Sequence, residues 1–328
     1  MKILPLLLFT FSGVAQWTSV DLGTTASFRS MDVVNKKVIW AGGTAGTVIK
    51  SVDGGKNWFI KKVGETGLDF RGIAAFNKKQ AVIVSAGLAE NGAAKIFRTG
   101  DGGQSWKLVF DTSEEGVFLD GVCFLDKKNG FVFGDALGNE VYLLETLDGG
   151  NSWTRIPAER LPKVKPGSAS FAASNSGMVH FDNQIWYAFQ SQLLYSSDAG
   201  FNWELIDTGF PSGESNGIFG VHFVDQERGF LLGGDYLDDK ADQINMAVSL
   251  DGGQRWQLGK IEPSGLKESA ASYKNTVLAT GTSGTSISIN NGMSWKVFDE
   301  TPYHVVRCAG KYCFAIGAEG RFGLIKLD

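Results

Sequence analysis

The chain has 328 residues, 43 of them Gly against 7 Pro, with 12% aromatics, and is long enough to bury a sizeable core. Its formal net charge of −4, with no basic cluster in the sequence, argues against nucleic acid as a partner. No window keeps an apolar 3.6-residue period for three turns, whereas short runs rich in Val, Ile, Phe and Trp recur throughout, so an all-β fold nearly free of helix is predicted.

The first fifteen residues, MKILPLLLFTFSGVA, carry one Lys, an apolar stretch and small residues at Gly13 and Ala15. That order predicts a signal peptide over 1–15, cleaved before Gln16, and an exported protein that is periplasmic, on the cell surface or secreted. The apolar run falls short of the roughly 20 residues a spanning helix needs, and no other segment approaches that length, so no stable membrane insertion is expected. Loss of Lys2 takes the formal charge to −5. Residues 16–328 are then one domain, expected to be a monomer.

From Ser51 onward one octapeptide recurs, Ser/Thr-x-Asp-x-Gly-x-x-Trp: an Asp-box. The copies are SVDGGKNW, TGDGGQSW, TLDGGNSW, SSDAGFNW, SLDGGQRW and the degenerate SINNGMSW. Their third positions are Asp53, Asp101, Asp148, Asp198, Asp251 and Asn290, spaced by 48, 47, 50, 53 and 39 residues, about the length of four short strands with turns. One unit therefore makes one propeller blade. In the first unit the strands are predicted at 29–34, 37–41, 47–51 and 57–61, with the octapeptide turning the third into the fourth. The Ser/Thr hydroxyl and the Asp carboxylate accept backbone N–H groups within the turn, Gly supplies positive φ, and Trp covers the hairpin. These aspartates lack the alternating spacing of a calcium loop and are read as structural.

The end of the chain supplies three more strands, at 305–309, 312–317 and 321–327, and then stops. Gln16-Trp17-Thr18-Ser19-Val20 reads as the missing fourth. Pairing the two ends closes a seven-bladed ring and leaves no open sheet edge. Cys308 and Cys313 flank a tight hairpin, as a cross-strand disulfide or as two free thiols; Cys123 has no candidate mate and is expected to be a small buried hydrophobe.

The Asp-boxes and the blade layout, most closely the unit GVFLDGVCFLDKKNGFVFGDALGNEVYLLETLDGGNSW, resemble the photosystem II stability and assembly factor family along the whole mature chain. The resemblance implies a propeller fold and, from the photosynthetic members, a non-enzymatic factor that binds an immature membrane protein. Asp-box propellers also include sialidases and sorting receptors, so fold alone does not assign function.

In a four-stranded blade the octapeptide turns share one face with the turns between strands one and two. The irregular insertions at 87–95, 134–140 and 233–243 and the connections at 159–168 and 207–216 fall on the other face, where binding usually sits. The innermost strands enter the channel from that face. Aligning the units places Arg29, Arg71, Asp120, Asn175, Phe219, Glu268 and His304 around its mouth. Arg29 and Arg71, on adjacent blades, are candidates to clamp a carboxylate or other anion, with His304 and Glu268 beside them. Alternatively these groups only solvate a water-filled channel. Asp235, Tyr236, Asp238 and Asp239 form a further cluster for a cation or a basic partner, or a solvated loop.

A sialidase would need three arginines. Arg307 is three residues past His304 and is expected to point away from the channel, and Arg155-Ile156-Pro157 lies in an outer strand. The three His (180, 222, 304) fall on separate blades, and no phosphate loop, dinucleotide fingerprint, nucleophile elbow or haem motif is present, so no cofactor or metal is expected. The residues therefore point to a binding or assembly propeller with a protein or glycan partner. The alternative is a secreted glycan hydrolase working at the same mouth.

Overall fold

The octapeptides fold as their spelling dictates. In the first, Ser51 Oγ accepts the Gly55 amide at 2.9 Å and donates to Asp53 Oδ1 at 2.9 Å, while that oxygen also accepts the Lys56 and Asn57 amides. Gly55 takes φ +87°, open to glycine at no steric cost. The degenerate copy keeps the geometry because Asn290 Oδ1 takes the place of a carboxylate oxygen, accepting from Ser288 Oγ and the Ser294 amide. The tryptophans reach further than their own hairpins: Trp58 meets Phe322, Trp106 meets Trp40 and Trp203 meets Phe131 edge to face, each on the preceding blade.

The computed structural model describes residues 16–328, so the expected signal peptide lies outside the described residues. Seven four-stranded antiparallel sheets form a ring of blades. The first blade runs Phe28–Val33, Ile39–Gly43, Thr47–Ser51 and Phe59–Lys62. Its second strand begins two residues later than expected because Val34 and Val38 close the preceding turn. The remaining inner strands are Asp69–Ala75, Leu119–Phe124, Met178–Phe181, Asn216–Phe223, Ser269–Tyr273 and Val305–Ala309. Among the described residues there is no α-helix, only three single 3₁₀ turns, and no helix long and apolar enough to cross a membrane.

Apolar clusters fill the spaces between blades. Trp40, Val48, Phe70 and Ile83 join blades one and two, and Phe28, Ile49, Phe314 and Phe322 join seven and one. The ring closes where Thr18–Asp21 pairs antiparallel with Arg321–Lys326, Thr18 facing Leu324 and Asp21 facing Arg321. Cys308 and Cys313 face each other across their hairpin and are disulfide-bonded. Cys123 is free and only half-buried by its neighbours, and burial of its sulfur pushes the thiol up to about 12, which keeps it unreactive. The insertion at 134–140 is no loop: Leu137 pairs with Glu140, extending the hairpin.

Candidate binding site at the channel mouth

Backbone irregularity aims the mouth residues. In blades one, two, three and five the inner strand slips register between Phe28 and Ser30, Phe70 and Gly72, Leu119 and Gly121, and Ile218 and Gly220. The residue left over at each bulge is Arg29, Arg71, Asp120 or Phe219. A β-bulge turns its extra side chain out of the alternating pattern, here toward the channel. In blades six and seven Glu268 and His304 come one residue ahead of the inner strand and are anchored through their amides to Thr280 and Ile316.

These residues shape a cup of about 380 Å³, lined on one side by Arg29, Arg71, Asp120, Asp135 and Glu268 and on the other by Phe171, Phe219 and Tyr236. Glu268, 1% exposed, receives Arg29 Nη1 at 3.5 Å and His304 Nδ1 at 2.8 Å. Because the carboxylate can only accept, the His304 proton sits on Nδ1. Arg71 Nε donates to Asp69 at 2.7 Å, and both guanidiniums stay about 30% exposed. Burial lowers the Arg29 pKa from its ordinary value and the Arg71 charge lowers it further, against the pull of Glu268. The cup thus sets two cations side by side, each paired with a carboxylate and each still partly open to an incoming anion. Opposite them Phe171 and Phe219 stack in parallel at 4.1 Å, with the half-exposed Tyr236 standing edge-on to both.

Two carboxyl groups complete the wall. Burial first, and the neighbouring Asp135 charge second, hold Asp120 well above the usual carboxylate range, and burial pushes Asp135 up to about 6. The two carboxyls act on each other's charge, and Asp135 accepts the Ser170 amide at 2.8 Å. A carboxyl that binds its proton more tightly folded than unfolded contributes stability that is complete below the unfolded pKa and is lost as pH rises through the folded one. Stability should therefore fall as pH rises from about 4 through about 6, by on the order of 3 kcal/mol for Asp135 alone. Asp120→Asn is expected to flatten that fall, seen as thermal unfolding temperatures that change less between pH 5 and pH 8 than those of the wild type.

Two expectations need correction. Asn175 is not at the mouth. Its left-handed backbone, φ +53°, carries it into the lumen, where Oδ1 accepts the Val122 amide at 2.8 Å and Nδ2 donates to the Ile73 carbonyl at 3.0 Å. Both partners lie on inner-strand edges that no further strand covers. Arg307 does not point away from the channel but into it. Its guanidinium donates to the carbonyls of Ser174 and Asn175 at 3.1 Å, to Ser176 Oγ at 3.2 Å and to Ser269 Oγ at 2.8 Å. An inner strand has an open edge on the lumen, so a long side chain can leave across it whatever its parity.

Together these contacts make a plug. The stretch 169–176 crosses the lumen and separates the cup from a second cavity of about 580 Å³ on the octapeptide face, lined by Asp32, Cys123, His180, His222 and Arg307. In the acidic insertion, Asp235 caps the Leu237 amide and Asp239 accepts the Leu266 amide through its carbonyl. Among the described residues no group of three His, Cys, Asp or Glu could hold a metal ion. Arg155 is an edge residue, stacked on Tyr142 and paired with Glu114. The alignment missed Asp69, Asp135 and Phe171. Only Asp69 leaves a trace in sequence, two residues before Arg71.

No protein-family model matches the chain. The photosystem II assembly lipoprotein Ycf48 of Synechococcus sp. (strain CC9902) is 28% identical over 269 residues, 78% of this chain and 70% of the relative. The chain resembles the photosystem II assembly factors. Solved structures agree on the fold. Ycf48 bound to a D1 peptide superposes with a TM-score of 0.69 at 16% identity, covering 95% of this chain and 97% of that one. YCF48 from Cyanidioschyzon merolae gives 0.69 at 14%, covering 95% and 99%. The WD40 propeller of RRP9 follows at 0.63 and 12%, covering 95% and 100%. At these identities the structures share architecture, not a demonstrated ligand.

Proposed function

We propose that this protein is a non-enzymatic recognition propeller, exported from the cytoplasm, that holds a peptide segment of a protein partner in the channel-mouth cup. The observation that carries this reading is the pairing of two one-third-exposed guanidiniums with a stacked aromatic wall inside one open cup. Arg29 and Arg71 would take a carboxylate, from a chain terminus or an acidic side chain, and Phe171, Phe219 and Tyr236 the apolar side chain next to it. The sequence relative is named an assembly lipoprotein and a structural neighbour holds a D1 peptide, which supports a protein partner over a glycan and a place outside the cytoplasm.

The cup's carboxyls favour recognition over hydrolysis. A glycosidase sets two carboxyl groups about 5–9 Å apart with sugar or water between them. Here Asp120 and Asp135 are buried neighbours within each other's electrostatic reach and Glu268 is enclosed by Arg29 and His304.

The test is fluorescence anisotropy with an apolar peptide ending in a free carboxylate and with its amidated twin. The Arg29→Ala/Arg71→Ala protein, its fold checked by circular dichroism, should bind the free peptide at least about tenfold more weakly than wild type. Amidation should cost the wild type as much. Equal binding of both peptides by the wild type would sink the arginine clamp.

A further inference from the structure

The octapeptide face, opposite the cup, gathers charge that the chain's overall acidity conceals. Each octapeptide turn is bonded to its own blade's turn between strands one and two. The Gly54 amide donates to the Lys37 carbonyl at 3.0 Å, that of Gly102 to Lys79 at 2.8 Å and that of Gly149 to Lys128 at 2.9 Å. In blades one to three this inner turn presents two exposed lysines, Lys36-Lys37, Lys78-Lys79 and Lys127-Lys128. Lys274 and Lys311 occupy the same turn in blades six and seven, so the arc spans five consecutive blades. Among the described residues none of these ammonium groups takes part in an ion pair. The one acid in these inner turns, Asp126, is turned onto the Lys128 and Asn129 amides.

The same face carries most of the strongly exposed apolar side chains. Among the described residues, the large apolar side chains more than half exposed are Tyr236 and Leu237 near the cup and six on octapeptide turns: Val52, Leu147, Phe201, Leu250, Ile289 and Met293. Scattered singly over a surface such residues need no explanation, but here they stand on equivalent turns of one face. On the same face the inner turns of blades four and five expose acids instead, Asp182, Asp225 and Glu227, so the lysine arc covers one sector of it.

We propose that the octapeptide face docks on an anionic lipid bilayer, with the lysine arc against the headgroups and the turn tips, Leu147 and Phe201 foremost, entering the interfacial layer. Charge complementarity selects an anionic surface. The spacing of the tips selects a bilayer. A protein hot spot needs adjoining anchors packed into one buried pocket, whereas side chains held a blade apart on a rigid plane suit a fluid surface that moulds to each. Docked this way, the cup faces away from the membrane into the aqueous compartment.

Co-sedimentation of the full chain with phosphatidylcholine vesicles, with and without phosphatidylglycerol, tests this. Binding is expected only with phosphatidylglycerol and should be reversed by salt. Lys36→Glu/Lys78→Glu/Lys127→Glu should weaken it roughly hundredfold. Leu147→Ser/Phe201→Ser should weaken it severalfold. The neutral pair Lys78→Gln/Lys127→Gln, which removes one charge from each of two turns without reversing it, should give an intermediate loss and separates a charge effect from misfolding. Arg29→Ala/Arg71→Ala should bind vesicles like the wild type, which distinguishes this surface from the cup. Equal binding to both vesicle types, or undiminished binding by the charge-reversed protein, overturns the proposal. Capture of poly-glutamate with no vesicle binding also overturns it and assigns the arc to an acidic protein.

Discussion

Removal of residues 16–22 should leave a propeller that no longer behaves as a stable monomer. Those residues supply the fourth strand of the last blade, and without them the backbone of Arg321–Lys326 becomes an open edge. The loss goes beyond hydrogen bonds. Trp17 is 8% exposed, packs edge-on to Phe298 and Tyr303, and donates from Nε1 to Thr285 Oγ1 at 3.2 Å in the adjoining blade. Trp17→Ala alone should cost about 3–5 kcal/mol in urea unfolding, from lost transfer energy and the cavity left behind. The truncated chain should unfold at a much lower temperature or dimerise through the bare edge, as read by light scattering. A peptide spanning the deleted strand, added in trans, should restore the monomer. A truncated chain that stays monomeric with an unchanged unfolding temperature would show that the closure contributes little.

Replacing Arg307 should be nearly as costly, although it does not line the cup. Its buried guanidinium joins blade seven to blade six and, across the lumen, to the 174–176 backbone of blade four. Burial lowers its pKa from the ordinary value, with nearby Asp32 acting to raise it. Arg307→Ala removes the cation that offsets the buried Asp32 and takes a guanidinium donor from the carbonyls of Ser174 and Asn175, and the expected loss is about 3–5 kcal/mol. Hydrogen exchange provides the specific readout: the amides of Ser176 and Val221 at the plug should exchange faster than those of the outer strands. A uniform increase across all blades would instead mark a global effect with no special role for the plug.

The cup rests on that plug, which makes the two predictions informative together. Ala169–Ala173 form its floor, and the same stretch continues into the residues Arg307 holds. A loosened plug should therefore weaken peptide binding without any change to Arg29 or Arg71.

The repeat legislates the architecture because each octapeptide is a self-contained turn. Ser51, Asp53 and Gly55 satisfy one another within five residues, so the motif forms wherever it is spelled, and its period fixes blade length and number. Closure was legible too, since three strands at one end and one at the other leave a single way to hide the edges. The mouth residues Arg29, Arg71, Asp120, Phe219, Glu268 and His304 followed from aligning like units, and the bulges that aim them preserve that alignment.

What lay beyond the sequence were contacts between units that do not repeat. Asn175 leaves the ring because one left-handed residue redirects the chain, and side-chain parity could not place Arg307 because the inner strand it belongs to has no neighbour on the lumen side. The raised pKa values of Asp120 and Asp135 arise only because two blade-three strands bring those carboxyls together away from water. Likewise, lysine pairs some 40 to 50 residues apart form no cluster in the sequence and a continuous arc in space, since a propeller sets equivalent turns side by side on one face. The sequence by itself determined the turns, the strands and their count; the tertiary ring decided which side chains share a cavity, a charged neighbour or a face, because those depend on distances between segments that no local pattern encodes.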